Sequence, residues 1–224
     1  MTTLVFVPAR KNSVRIKNKN LKILGGKPLI YYTLKICKSL KKKFPVFIST
    51  DSEKILNYSK KKFKFYTAYI RPQYLSLKNS KIIDGILHGV EWYQRFFNKR
   101  IDHIILLQPT SPLRKLIVVK KIIDFYFNKK LESLATVSFQ KDNLINHVSL
   151  NYRSHKKWDS VVKKKNLKKK YHYFNGYLYI FSYNFLKKNK KIIVPNKTYL
   201  YETNKVESID VDCMDDFIIA KSLI

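Results

Sequence analysis

The chain has 224 residues, 45 % hydrophobic and 14 % aromatic, and its 46 Lys and Arg against 15 Asp and Glu give a formal charge of +31. That length supports one domain with a proper core, and the apolar content excludes a disordered basic tail. No run approaches the roughly 18 uncharged apolar residues a membrane span needs, and two distant cysteines, Cys37 and Cys213, exclude a disulfide framework and point to a reducing, cytoplasmic setting.

The opening MTTLVFVPAR has no basic region ahead of a long apolar block, so no secretory signal is expected. Leu4–Pro8 is a short continuous apolar run, the pattern of a buried strand, and a polar loop, Ala9–Asn20, follows it. From Pro28, Leu29, Tyr32, Ile36 and Leu40 recur at helical spacing. Pro45–Thr50 reads as a second strand, with Asp51 placed to cap the next helix. Phe65–Tyr69 reads as a third strand, and a long amphipathic helix begins at Asn79 or Ser80 and runs to about Phe97. Ile104–Leu107 is the fourth strand, then a helix from Lys115 to Asn128, then a strand at Leu134–Phe139. Strand and helix alternating in this way argue for an α/β fold with a mainly parallel sheet flanked by helices.

Beyond residue 140 the pattern changes to Lys-rich loops, a strand pair around Tyr173–Ser182 and little helix, which reads as an excursion over 141–205. Val206–Val211 reads as a last strand and Met214–Leu223 as a closing helix. The nucleotide-binding α/β domain would then comprise 1–140 and 206–224.

The charge is unevenly placed. Residues 141–197 carry a net +13, whereas 201–224 carry six acidic and two basic side chains, a net −4. Such basicity invites a polyanion-binding, non-enzymatic reading. Against it, 39 of the 46 basic residues are Lys, whereas base-edge and bidentate phosphate recognition favours Arg.

Three segments carry chemistry. Ligands of parallel α/β sheets sit beyond the carboxyl ends of the strands, and the loops at 9–20 and 108–114 lie there. In the first, Arg10, Arg15, Lys17 and Lys19 crowd a loop that also offers the Ser13 hydroxyl and main-chain N–H groups, an anion cradle. Neither GxGxxG nor GxxxxGK[ST] is present, so neither a dinucleotide site nor a standard NTPase phosphate loop is indicated. In the second, two prolines stiffen Leu106–Arg114, which either presents Gln108, Thr110, Ser111 and Arg114 to a ligand or is a rigid turn. In the third, Glu207–Phe217, alternation on a strand sends Asp210 and Asp212 to one face and Val211 to the other. Two parallel carboxylates suit Mg²⁺, which takes one or two carboxylates plus water and phosphate oxygens; alternatively Asp212 caps the following helix. The five His show no ligand spacing with either Cys, and no nucleophilic triad emerges.

Together these segments resemble the CMP-sialic acid synthetase (acylneuraminate cytidylyltransferase) family. The shared strings run in order: Pro8-Ala9-Arg10 through Lys19-Asn20-Leu21, GGKPLI at 25–30, Ser49–Asp51, RPxxL at Arg71–Leu75, QPTSPLR at Gln108–Arg114, Asn175-Gly176, and Ser208–Asp212. The resemblance implies a Rossmann-like fold of the nucleotide-diphospho-sugar transferase type, with an arm exchanged across a homodimer. It implies transfer of CMP from CTP to an acidic nonulosonic sugar, or to a relative such as 3-deoxy-octulosonic acid, with Mg²⁺ as cofactor. Arg10, Ser13, Arg15, Lys19, Asn20 and Ser80 would bind the nucleotide. Gln108, Lys164, Lys165 and Asn175 would contact the sugar, and Asp210 with Asp212 would hold the metal. Arg10, Lys19 and Asp212 would carry the catalysis. The chain departs from the family at Asn12-Ser13-Val14-Arg15, at Leu77-Lys78-Asn79 and at Lys164–Lys168, where an Arg that clamps the sugar carboxylate is replaced by Lys.

Overall fold

A computed structural model describes residues 1–65, 68–140, 161–163 and 171–224. Its main sheet is built from β1 (Thr3–Pro8), β4 (Val46–Ser49), β5 (His103–Leu106), β6 (Ser133–Gln140), β8 (Tyr171–Ser182) and β9 (Tyr199–Glu202), in the spatial order β4-β1-β5-β8-β6-β9. Along that path only β8 runs against its neighbours. A short β7 (Val161–Lys163) pairs with β8, and β2 (Ile23–Leu24) and β3 (Lys27–Pro28) form a separate hairpin. The helices are α1 (Leu29–Leu40), α2 (Glu53–Phe63), α3 (Ile82–Phe97), α4 (Leu116–Asn128), α5 (Tyr183–Asn189) and α6 (Met214–Ser222).

The continuous apolar run of β1 has a simple cause: both faces of the strand are covered. Val5 and Val7 join Ile105 and Leu107 in a core shared with α1, α2 and α4. Leu4 and Phe6 join Ile104 and Leu106 in a second core under α3 and α5. At Gly89 a Cβ would come within 3.0 Å of both Phe6 and Phe47, so glycine is what lets α3 lie this close to the sheet.

These observations give the Rossmann-like, mainly parallel α/β fold, with several local corrections. Phe65, Ala68 and Tyr69 form no strand, while residues 66–67 lie outside the described residues. The aromatic content there serves packing: Phe65 stacks on Phe63, and Tyr69 sits against Phe47 and Trp92. The expected cap at Asp51 is supplied by Ser52, whose Oγ accepts from the Ile55 N–H; Asp51 accepts from the Lys11 N–H at 2.7 Å instead. Tyr173–Ser182 is not a pair of strands but part of the single long β8, and α5 follows it. The described strands of the segment read as an excursion, β7, β8 and β9, belong to the main sheet. Val206–Val211 is not a sheet strand. The Ser208 and Ile209 N–H groups bond back to Lys205 and Val206, and the Val211 N–H reaches out to the Thr110 carbonyl at 2.7 Å.

Candidate active site

A cavity of about 850 Å³ opens at the carboxyl ends of β1 and β5. Arg10, Ser13, Arg15, Lys19, Asn20, Ser80, Gln108, Asp210 and Asp212 all line it, so one space collects residues from four separate stretches of sequence. Arg71 and Lys78 add two more cations. The lining thus holds five cationic side chains and two carboxylates, a setting for a polyanion.

The basic loop is fixed from both ends. Its one apolar anchor, Ile16, is buried with Leu24, Leu29, Val211 and Phe217. That cluster pulls the loop onto the C-terminal segment and places Arg15 3.0 Å and Lys19 3.4 Å from the Asp212 carboxylate. Lys19 Nζ also donates to the Val211 carbonyl at 2.7 Å. Asn20, 6 % exposed, donates through Nδ2 to the Arg10 carbonyl at 2.9 Å and so holds the start of the loop. Val211 points into the apolar cluster while Asp210 and Asp212 face the cavity, as the alternation implied, although no strand pairing enforces it. Asp212 does not cap α6. Asp216 does, accepting from the Cys213 and Asp212 N–H groups at 2.9 and 2.8 Å.

The second loop is held by Arg114, which is buried and does not line the cavity. Its guanidinium donates to the Tyr177, Gln108 and Gly176 carbonyls and, at 2.8 Å, to Thr33 Oγ1. Burial pulls its pKa down to about 10 despite the nearby Tyr177, Cys37 and Asp210. Ser111 is likewise turned inward, donating to the Gly176 carbonyl at 3.3 Å. Gln108 remains at the cavity wall.

Gly176 reaches the site because β8 bulges. Opposite β6 the register jumps from Ala135↔Tyr179 to Val137↔Phe174, so extra residues of β8 loop outward between those pairs. Asn175 stabilises the bulge: its Nδ2 donates to Ser138 Oγ and Thr203 Oγ1, both at 2.7 Å, and its Oδ1 accepts from the Tyr177 N–H at 3.1 Å. Buried and committed in this way, Asn175 does not line the cavity; it positions Gly176, whose added Cβ would stand 3.2 Å from Gln108 Oε1. Ser80 donates to the Tyr74 carbonyl at 2.6 Å and lies at the mouth beside Ile82, where α3 begins. Lys164 and Lys165 lie outside the described residues.

Arg71 is, with Lys78, a cavity cation that residue-by-residue reading missed. It is 7 % exposed, donates to the Ser49 hydroxyl at 2.9 Å and to the Ser49 carbonyl, and burial lowers its pKa. Its signal was the RPxxL string, whose arginine has no charge partner nearby in sequence. Among the described residues no three His, Cys, Asp or Glu converge in the manner of a dedicated metal cage. Two carboxylates beside a group of cations match instead an ion that takes one or two protein carboxylates and completes its shell from water and phosphate oxygens.

Residues 4–215 match the family model described as cytidylyltransferase. An N-acylneuraminate cytidylyltransferase of Streptococcus agalactiae is 26 % identical over 97 % of the chain, and the chain spans about half the length of that relative, 52 %. A CMP-N,N'-diacetyllegionaminic acid synthase of Legionella pneumophila is 26 % identical over all of the chain and 96 % of its own length. In fold, the chain resembles a CMP:2-keto-3-deoxy-manno-octonic acid synthetase complexed with CTP, at a TM-score of 0.70, 12 % identity and coverage of 100 % and 98 % of the two chains. The chain belongs to the cytidylyltransferase family.

Proposed function

We propose that the chain transfers CMP from CTP to the anomeric hydroxyl of an acidic 2-keto nonulosonic sugar. The single observation carrying this reading is the arrangement at the sheet edge: a cation-rich cavity whose floor presents Asp210 and Asp212 beside Arg15 and Lys19. The family match supports cytidine as the base. The names of the streptococcal and Legionella relatives support a nonulosonic sugar.

The hydroxyl oxygen attacks the α-phosphorus, the bond from that phosphorus to the bridging oxygen breaks, pyrophosphate leaves, and the hydroxyl proton passes to solvent. Arg10, Arg15 and Lys19 offset the charge on the phosphates, with Ser13 and the loop N–H groups as further donors. Such a step needs alignment and charge neutralisation rather than a covalent nucleophile. Asp210 and Asp212 would hold Mg²⁺, which supplies Lewis-acid polarisation of a phosphoryl oxygen. Arg71 and Ser80 line the same cavity, and Ser80 would contact the nucleotide. Gln108 addresses the sugar, and Lys164 or Lys165 supplies the cation for its carboxylate. Homodimerisation and a cytoplasmic location belong to the same reading. Among the described residues no helix is long and apolar enough to cross a membrane.

Pyrophosphate release from each nucleoside triphosphate, screened against a panel of acidic sugars, tests the proposal. Turnover is expected with CTP and a nonulosonic acid, and Asp212→Asn is expected to lower it on the order of a hundredfold with the fold intact. Equal turnover of all four triphosphates, or parent-like turnover by the Asp212→Asn and Asp210→Asn variants, would overturn it.

A further inference from the structure

The end of the sheet opposite the cavity is built in a way the transfer reaction does not use. α1, α3 and α4 all finish there, at the end where β1 begins. Exposed lysines follow each: Lys41, Lys42 and Lys43 after α1, Lys99 after α3, and Lys129 and Lys130 after α4. A cleft of about 830 Å³ is lined by Lys43, Lys99 and Lys130 together, so the three helix ends share one face. Of the acidic groups there, Asp102 is tied to Arg100 at 3.2 Å and to the Thr2 N–H at 2.8 Å, leaving Asp124 and Glu132 at the rim of that cleft.

Beside the lysines, α3 ends in a cluster of aromatic rings. Phe96 and Phe97 are 58 % and 48 % exposed. Trp92 and Phe96 stack at 4.6 Å, and Phe97 stands edge-on to both. Phe97 and Phe44 also line a second cleft, whose rim is Lys41–Lys43.

We infer that this face docks the protein on an anionic membrane surface, with Phe96 and Phe97 seated among the headgroups and the lysines against lipid phosphates. Aromatic rings ringed by Lys suit the bilayer interface, where an apolar body and a cation both find their solvent. A symmetric contact with a second copy of the chain is disfavoured, because it would set one lysine cluster against another. Nucleic acid is a poorer fit, because the rings stack on one another where bases need open faces. Docked in this way, the cavity at the far end of the sheet faces water, so nucleotide and sugar enter freely. The inference does not rest on the chemistry proposed for that cavity.

Co-sedimentation of the full chain with vesicles of phosphatidylcholine containing about one-third phosphatidylglycerol, at about 0.1 M salt, tests it. Binding is expected to these vesicles and not to pure phosphatidylcholine. Each basic residue near such a surface contributes about fivefold, so the triple change Lys41→Gln, Lys42→Gln, Lys43→Gln should weaken partitioning on the order of a hundredfold. Phe96→Ser should weaken it about tenfold, and Phe96→Trp should retain it. Parent-like melting temperature and CTP turnover in each variant would show that docking alone had changed. Three results overturn the inference: no binding of the parent to anionic vesicles, full binding by Phe96→Ser, or duplex DNA binding that depends on the same lysines and on Phe96.

Discussion

Replacing Arg114 by Lys keeps the charge and removes the fork, and the structure indicates what that costs. The guanidinium serves acceptors on three segments: Thr33 in α1, Gln108 in the loop after β5, and Gly176 and Tyr177 in the bulge of β8. An ammonium has one nitrogen and reaches only part of that set, so two or more buried acceptors lose their donor, at about 1–3 kcal/mol each. The site already pulls a guanidinium down to about 10; an ammonium starts lower and is drawn further toward its neutral form. A net loss of about 3 kcal/mol is expected, equivalent to a fall in Tm of about 6–12 °C for a chain of this size. Circular dichroism melts at pH 7.5 measure it. Turnover measured well below the transition should change less than stability, because Arg114 does not line the cavity. A variant that melts within about 2 °C of the parent, or one that keeps its Tm and loses turnover, would refute the assignment of Arg114 as a strut.

Two further predictions follow from particular contacts. Gly176 has φ +69° and an added Cβ would stand 3.2 Å from Gln108 Oε1 and 3.4 Å from Asp210 Oδ2, so Gly176→Ala should cost about 1–3 kcal/mol and raise KM for the sugar more than KM for CTP; parent-like Tm and KM would refute this. His103 is held neutral by burial, which lowers its pKa, beside the Tyr126 hydroxyl at 2.9 Å; the unfolded chain therefore binds the proton more readily, stability is full above the ordinary His pKa and declines as pH falls below it. The parent should lose more Tm than His103→Gln between pH 7.5 and 5.5, and parallel losses would refute this.

Much of the fold was legible because the strands of a two-sided sheet leave an unbroken apolar run and the helices leave a periodic one. Thr3–Pro8, Val46–Ser49 and His103–Leu106 stand within a residue or two of their expected bounds. What was not legible depended on contacts remote in sequence. The aromatic residues around Phe65 and Tyr69 have strand-like composition, yet they pack on helices. Val206–Val211 has the alternation of a strand, but the Ser208 and Ile209 N–H groups turn back on Lys205 and Val206 and pair with no sheet strand. The bulge at Asn175–Gly176 depends on Ser138 and Thr203, which no local pattern joins to it. In the site, short-range chemistry singled out the basic loop and the Asp pair separately, and only the resemblance joined them; the structure lines one cavity with both. Arg71 escaped because an isolated arginine reads as surface until its burial is known.

The pairing of Asp212 with Arg15 and Lys19 bears on how the cavity would choose its ligand. A phosphate entering the basic loop competes with that carboxylate for the same cations. Both partners of the Arg15–Asp212 pair are partly solvated, 44 % and 25 % exposed, so displacing it costs no more than about 1 kcal/mol. A single phosphate charge gains little beyond what Asp212 already supplies. A triphosphate brings several charges and meets Arg10, Arg71 and Lys78 as well, so its gain grows while the displaced pair stays the same. On the proposed reading, the carboxylate would therefore set a threshold, holding the cations in place for a polyanion and disfavouring monoesters and diesters of low charge. In the proposed transfer, the nucleotide product would retain one diester phosphate and fall back below that threshold. The product should then leave the loop more readily than the triphosphate did, which couples completion of the reaction to release.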